Sequence, residues 1–255
     1  GLRSLDRLMR AEYSLEGKHF EGSNAVVDPN WYARALESHQ KLREVALKFK
    51  QSGSNHYWFA RSYQNVQEAM LSLVNSGHFI HPTWVFQLLV IWHEIYDNNF
   101  RLWADGQHEN VEYHWVEAFE AAEIGPQWWK SADAGIGHAL TRAAWAHICE
   151  DMPRALAIVF YDHYRKTDLN YEAFREDCHR LQAVFEVGQR WLKREMPQPD
   201  VKNWVLAKFL PENLYHANIR KPFFDIRRER RRAWDRGKQQ LNLLTDPSGQ
   251  SQKRF

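Results

Sequence analysis

An all-α fold is what this 255-residue sequence predicts, and three observations carry the prediction. Apolar residues recur at the helical period of 3.6 in nearly every segment. No run of alternating β-branched residues offers a strand. The breaks fall at helix punctuation, namely Asp28-Pro29, Gly53, Asn75-Ser-Gly77, Asp105-Gly106 and Gly125-Pro126.

Taken in order, the first fifteen residues read as a short helix, joined to Val27 by a connector containing Gly and Asn. Asp28 is placed to cap a second helix and Pro29 to sit in its first turn. This helix runs through Leu36, Leu42 and Val45 to about Lys50. The third helix spans about 56–75 and stops at Gly77, which takes the left-handed conformation cheaply. The fourth, about 83–104, is apolar on nearly all sides up to Trp92 and belongs in the centre of a bundle. An amphipathic helix follows at about 111–124, then an expected loop at 131–137. An alanine-rich helix covers 138–151, with further helices at 152–165 and 171–195. Met196 to Asp200 reads as a stiff linker. Helical segments are expected at 201–209 and 220–243. The polar residues 246–255 are expected to be disordered. The whole is a single-domain bundle of about nine helices, with the bundle domain over 1–196 and a C-terminal helical arm over 197–245 packed on it.

Composition bounds the function. Apolar residues make up 44% and charged residues 26%, as in an ordinary globular protein. The longest apolar stretch, Trp84 to Trp92, is broken by Gln87 and followed by His93, too short for a membrane span. A formal net charge of +2 makes no general trap for polyanions. Two cysteines, Cys149 and Cys178, are too few for a disulfide framework. With no signal-peptide pattern in the first residues, a cytoplasmic setting is expected. Twelve Trp, fourteen Phe and ten Tyr supply more aromatic surface than a core of this size requires, which suits either dense packing or an aromatic-walled pocket.

The candidate chemistry lies in two blocks with the same spacing. His147 and Asp151 are four residues apart in the alanine-rich helix, so they share a face; His93 and Asp97 repeat the arrangement in the central helix. If the two helices face each other, two imidazoles and two carboxylates converge. Such a set can hold one divalent ion (zinc, manganese or iron), which would activate a water for hydrolysis. Without a metal, an imidazole backed by a carboxylate is a general base. Glu94 and Glu150, each beside a member of a pair, are candidates for supporting the ligands. The plainer alternative for Asp151 is to cap the helix that begins at Met152-Pro153. His114, on the amphipathic helix, is a weaker candidate. No glycine-rich phosphate loop, CxxC pair, HExxH or GxSxG occurs. The basic run Arg227 to Arg232 is interrupted by Glu229 and reads as a solvated helix face before it reads as a nucleic-acid stripe.

The block Ala146-His-Ile-Cys-Glu-Asp-Met-Pro-Arg-Ala-Leu156 is similar to the Ala-His-Ile-x-x-Asp-Leu-Pro-x-Ala-Leu block of an uncharacterised bacterial helical family. The aromatic helix from Tyr57 to Met70, Gly77-His-Phe79 before Trp84, and Tyr96 with Phe100 extend that resemblance over about residues 55–160. It implies a fold and a site position but no reaction. The His147–Asp151 pair also resembles the metal-bridging His-x-x-x-Asp of zinc-dependent phospholipases C and single-strand nucleases, although the histidine that usually follows is missing and Gly1 stands where they have a metal-binding Trp. The aromatic helix from Trp92 to Asp97 looks like the one before the magnesium motif of terpene cyclases, with Arg101 in place of the second Asp. The expected function is an enzyme acting on a small, largely apolar or aromatic molecule through these His/Asp pairs, by metal-assisted hydrolysis. A metal-free cyclase or isomerase is the next expectation, and a non-catalytic ligand- or nucleic-acid-binding protein the third.

Overall fold

The computed structural model describes residues 27–124, 132–195 and 226–245. Its helices are α1 (Pro29–Ser52), α2 (His56–Asn75), α3 (Pro82–Ala104), α4 (Tyr113–Glu123), α5 (Ala132–Trp145), α6 (Met152–His163), α7 (Arg175–Glu195) and α8 (Ile226–Thr245), with no strand among the described residues. A π-helical segment, Ala146–Asp151, joins α5 to α6 without a break, and both flanking residues, Trp145 and Met152, keep helical dihedrals. The described chain is therefore seven helical rods rather than about nine helices. The expected helix at residues 1–15, the linker at 196–200, the helix at 201–209 and the tail at 246–255 lie outside the described residues. The expected loop at 131–137 is helix from Ala132 onward, because two glycines do not outweigh the docking of the rest of α5.

The helix ends follow local chemistry. The Asp28 side chain accepts a hydrogen bond from the Asn30 amide at 2.8 Å, and Gly53 closes α1 at φ +68°. The all-round apolar stretch of α3 is buried from Trp84 without interruption to Val90, and α3 packs against α1, α2, α4, α6 and the π segment. The turn after α2 is pinned from across the bundle. Asp177, fully buried on α7, accepts from the amides of Ile80 and His81 at 2.7 Å each and contacts His81 Nδ1 at 2.9 Å. That turn sets where α3 begins, and so where Trp92 and His93 sit.

Pro153 explains the widened turn before it. It has no N–H to give to a preceding carbonyl, and its ring crowds the carbonyl four residues earlier. The Met152 amide instead reaches back five residues to the His147 carbonyl. A second donor, the Trp92 indole N–H, meets the same carbonyl at 2.9 Å and locks α3 against the π segment.

The arm helix α8 lies along α6 at close range. A Cβ at Gly237 would stand 2.5 Å from the Tyr171 hydroxyl and 3.1 Å from the Pro153 carbonyl oxygen. Tyr171 cannot swing aside, since it is buried and donates to the Trp234 carbonyl at 3.2 Å. Gly237→Ala is therefore expected to destabilise the protein by about 1–3 kcal/mol through overpacking. Gly137→Ala, where a Cβ meets nothing within 4 Å, is expected to stabilise by up to about 1 kcal/mol through helix propensity. Urea unfolding of the two variants checks this; equal shifts would contradict the close approach of α8 to α6.

Candidate active site

The π segment carries the site. His147 Nδ1 lies 3.1 Å from Asp151 Oδ2, so the spacing of four does bring this pair together. Asp151 has no exposed surface and makes no capping bond to α6. Its oxygens instead meet side chains from α4: the Trp115 indole N–H at 3.0 Å on Oδ2 and His114 Nε2 at 3.0 Å on Oδ1. The alternative of Asp151 as a helix cap does not hold, because the chain runs helically through it and leaves no orphan amides for it to serve.

These contacts set the charges. Burial raises the Asp151 pKa, but hydrogen bonds from His114 and His147 outweigh it and hold the carboxyl below its usual value. Burial lowers the His147 pKa more than the carboxylate raises it. The stable arrangement is an ionised Asp151 beside a neutral His147, whose Nδ1–H donates to the carboxylate. Nε2 of His147 is then an acceptor, and it is buried with no partner among the described residues.

Aromatic rings box this imidazole. Trp92 stacks on it at 4.2 Å with an 8° interplanar angle, and Tyr63 meets it edge-on at 4.2 Å. Phe59 and Trp115 close in at 5.6 and 5.9 Å. His147 also lines a cavity of about 610 Å³, within the range that holds a small ligand. Phe59, Tyr63, Val66, Trp92, Ile148 and Phe185 form much of its apolar wall. The Tyr63 hydroxyl, buried with no hydrogen-bond partner among the described residues, is a second polar group on that wall.

The other predicted pair does not form. His93 is buried on α3, 6.1 Å from the Tyr63 ring, and neither of its nitrogens has a partner among the described residues. Asp97 instead turns to Arg101, 3.2 Å away on the next turn of the same helix. Both residues lie on α3, but a half-exposed carboxylate gains more from a cation and water than from a dry imidazole. Glu94 is exposed and paired with Arg34 at 2.8 Å, and Glu150 pairs with Arg236 of α8 at 3.0 Å, so neither supports the site.

A metal held jointly by His147, Asp151, His93 and Asp97 does not fit this geometry. Asp97 is directed away, and both Asp151 oxygens already accept from other side chains. Among the described residues, one group of three possible ligand atoms lies within 4.8 Å of one another, on Glu112, His114 and Asp151. There the Arg154 guanidinium sits on Glu112, supplying a positive charge already.

In the sequence His114 is only a weaker candidate, and nothing marks Trp115 or Tyr63 as site residues. His114 and Trp115 are adjacent, and both reach one carboxylate because Asp151 lies where the α4 surface meets the widened turn. The available signal was Pro153, which forces irregular geometry just after the His–Asp pair. No helix of the described residues is long and apolar enough to cross a membrane.

Residues 37–254 match the family model described as "Family of unknown function (DUF5995)", and the chain belongs to that family. No curated protein and no solved structure matches it. The family is consistent with the resemblance to an uncharacterised helical family, whereas the likenesses to phospholipases C, nucleases and terpene cyclases gain no support.

His93 gives this region a measurable signature. Burial, then the neighbouring His147, push its pKa down to about 3. The unfolded histidine titrates near 6.5, so below that pH the unfolded state binds the extra proton and stability falls by roughly 1.4 kcal/mol per pH unit for this residue. His39, lowered to about 4 mainly by burial, adds to the same slope. His93→Leu is expected to be neutral or stabilising at pH 7 and to gain on the wild type steadily between pH 6 and 4 in thermal melts. Destabilisation by more than about 2 kcal/mol at pH 7 would mean that the imidazole has a partner to lose.

Proposed function

We propose that this member of the DUF5995 family is an enzyme that moves a proton on a small, largely apolar molecule bound among the aromatic rings, with His147 as general acid–base and Asp151 as the group that orients it. One observation carries the reading. His147 is tied to a buried carboxylate through Nδ1 while Nε2 is left without a partner among the described residues, on a residue that lines a ligand-sized cavity. A neutral imidazole in that tautomer accepts a proton at Nε2, and Asp151 stabilises the imidazolium that results. The Tyr63 hydroxyl on the same wall offers a hydrogen bond to negative charge that develops on the substrate. Proton transfer of this kind serves an isomerase, a cyclase or a metal-free hydrolase. Metal-assisted hydrolysis is less well supported, because the proposed ligands do not converge.

The test is a panel of small aromatic ketones, enolisable esters and unsaturated hydrocarbons, followed for turnover at pH 7 with and without a chelator. His147→Gln is expected to lower turnover by about 10²–10⁴-fold with the helical fold retained by circular dichroism despite a lowered melting temperature, and Asp151→Asn to lower turnover as well while leaving bound-substrate affinity near wild type. The pH profile should fall only in acid, since His147 must be neutral and its pKa lies below the ordinary value. Turnover that survives His147→Gln, or that is lost to a chelator and restored by zinc, contradicts the proposal. Binding without any turnover, indifferent to His147→Gln, favours a ligand carrier.

A further inference from the structure

The basic residues of α8 and of α1 differ in what they meet. On α8, Arg230 turns inward and donates to the Cys178 carbonyl and to Gln182 of α7, so it belongs to the packing rather than to a solvated face. Arg227 and Arg228 pair with Glu186 and Glu229. On α1, Arg43 and Lys50 are exposed, and neither has a carboxylate within 4 Å among the described residues. Both line a second cavity, of about 790 Å³, which shares no residue with the one at His147.

This cavity sits where α1 turns into α2. Ala46 and Phe49 from α1, with Tyr57 and Trp58 from α2, give it an apolar and largely aromatic surface. The Tyr57 and Trp58 rings meet edge to face at 5.1 Å, and the Lys50 ammonium stands 5.9 Å from the Tyr57 ring. Three cations along the lining (Arg43, Lys50 and Arg61) face one carboxylate, Glu195. That carboxylate is already engaged: Arg61 Nε donates to both of its oxygens at 2.9 and 3.0 Å, Arg61 Nη2 reaches one at 2.6 Å, and the Tyr57 hydroxyl donates at 3.0 Å. Burial works against its charge, but the bonds from Arg61 outweigh burial and hold its pKa below the ordinary value, with smaller help from Tyr57 and Lys50. Two further carboxylates lie off the lining. Glu68 feels Arg61 and Arg43, yet burial keeps its pKa raised, and Glu44 accepts from Gln40 at 2.9 Å. Arg43 and Lys50 are therefore the positive charges that the cavity leaves uncompensated. Seven residues apart, they share one face of α1, and their long side chains can close on a single oxyanion beside the aromatic rings.

We propose that this second cavity binds a small aromatic anion, with its ring against Tyr57 and Trp58 and its carboxylate or phosphate held by Arg43 and Lys50. The volume lies in the range that takes such a molecule. An apolar wall with a few convergent charged groups is the usual make-up of a small-molecule site. The proposal is independent of proton transfer at His147 and holds whether or not that residue turns anything over.

Calorimetric titration of the full chain with 1-naphthyl phosphate, 1-naphthoate and 1-naphthol tests this. At least one anion is expected to bind about tenfold or more tightly than the alcohol, with the preference shrinking as salt rises, and the tighter anion identifies the head group. Arg43→Gln/Lys50→Gln is expected to erase the anion preference and leave 1-naphthol affinity unchanged. Trp58→Ala is expected to weaken all three compounds several-fold. Lys48→Gln/Arg231→Gln removes two charges that line neither cavity and should leave the preference intact. Equal affinity for 1-naphthol and both anions in the wild type overturns the proposal without any variant. Equal losses in the two double variants overturn it as a general surface-charge effect. Anion binding that survives both Arg43→Gln/Lys50→Gln and Trp58→Ala lies elsewhere and overturns it as well. His147→Gln should leave anion affinity unchanged, so a loss of turnover there with the preference retained supports both readings separately.

Discussion

A fully buried, ionised Asp151 is the constraint that the rest of this structure answers to. A carboxylate taken out of water is destabilised by several kcal/mol unless every oxygen finds a donor. Here three side chains from two elements supply them: His114 and Trp115 from α4, and His147 from the carboxylate's own segment. Satisfying Asp151 therefore docks α4 onto the π segment, settles the tautomer of His147 and occupies the oxygens that a helix cap or a metal would need. One electrostatic requirement fixes both the packing and the direction in which the site can act.

The widened turn makes that arrangement reachable. Pro153 removes a donor and crowds the carbonyl behind it, and the backbone answers with a five-residue reach from Met152 to His147. Trp92 uses its indole N–H on the same carbonyl and its face on the same imidazole. The imidazole is thus gripped at Nδ1, across its plane and through its own backbone, with Nε2 left over. Around it, Tyr63, Gln67 and His93 hold further buried polar atoms with no partner among the described residues. Unmet hydrogen-bonding groups in this number destabilise a core, and they cluster beside the proposed base, which fits a region shaped for chemistry at some expense to stability.

Much of the fold was legible because it rests on local rules. The Asp28-Pro29 start, the stops at Gly53 and Gly77, and the all-round apolar face of Trp84 to Val90 each follow from the residues themselves and reappear in place. The segment before His138 was not legible, since its glycines read as a loop until α5 docks against α4. In the site, the i, i+4 rule found His147 with Asp151 but failed for His93 with Asp97. That rule brings two side chains to one helix face without deciding what each will meet there. Asp97 had Arg101 one turn on and water beside it, whereas Asp151 had neither. The partners of Asp151 came from 36 and 37 residues away, a separation that no local pattern encodes. Likewise the arginines of α8 looked alike in sequence. Only their docking against α7 separates the buried Arg230 from Arg227 and Arg228, which line the cavity.

The most direct measurement is the ¹⁵N and ¹H resonance assignment of the His147 ring at neutral pH. The account requires a neutral imidazole with its proton on Nδ1, shifted downfield by the Asp151 carboxylate, and an Nε2 nitrogen with the shift of a lone-pair acceptor. A proton on Nε2, or a ring charged at both nitrogens at pH 7, would contradict it.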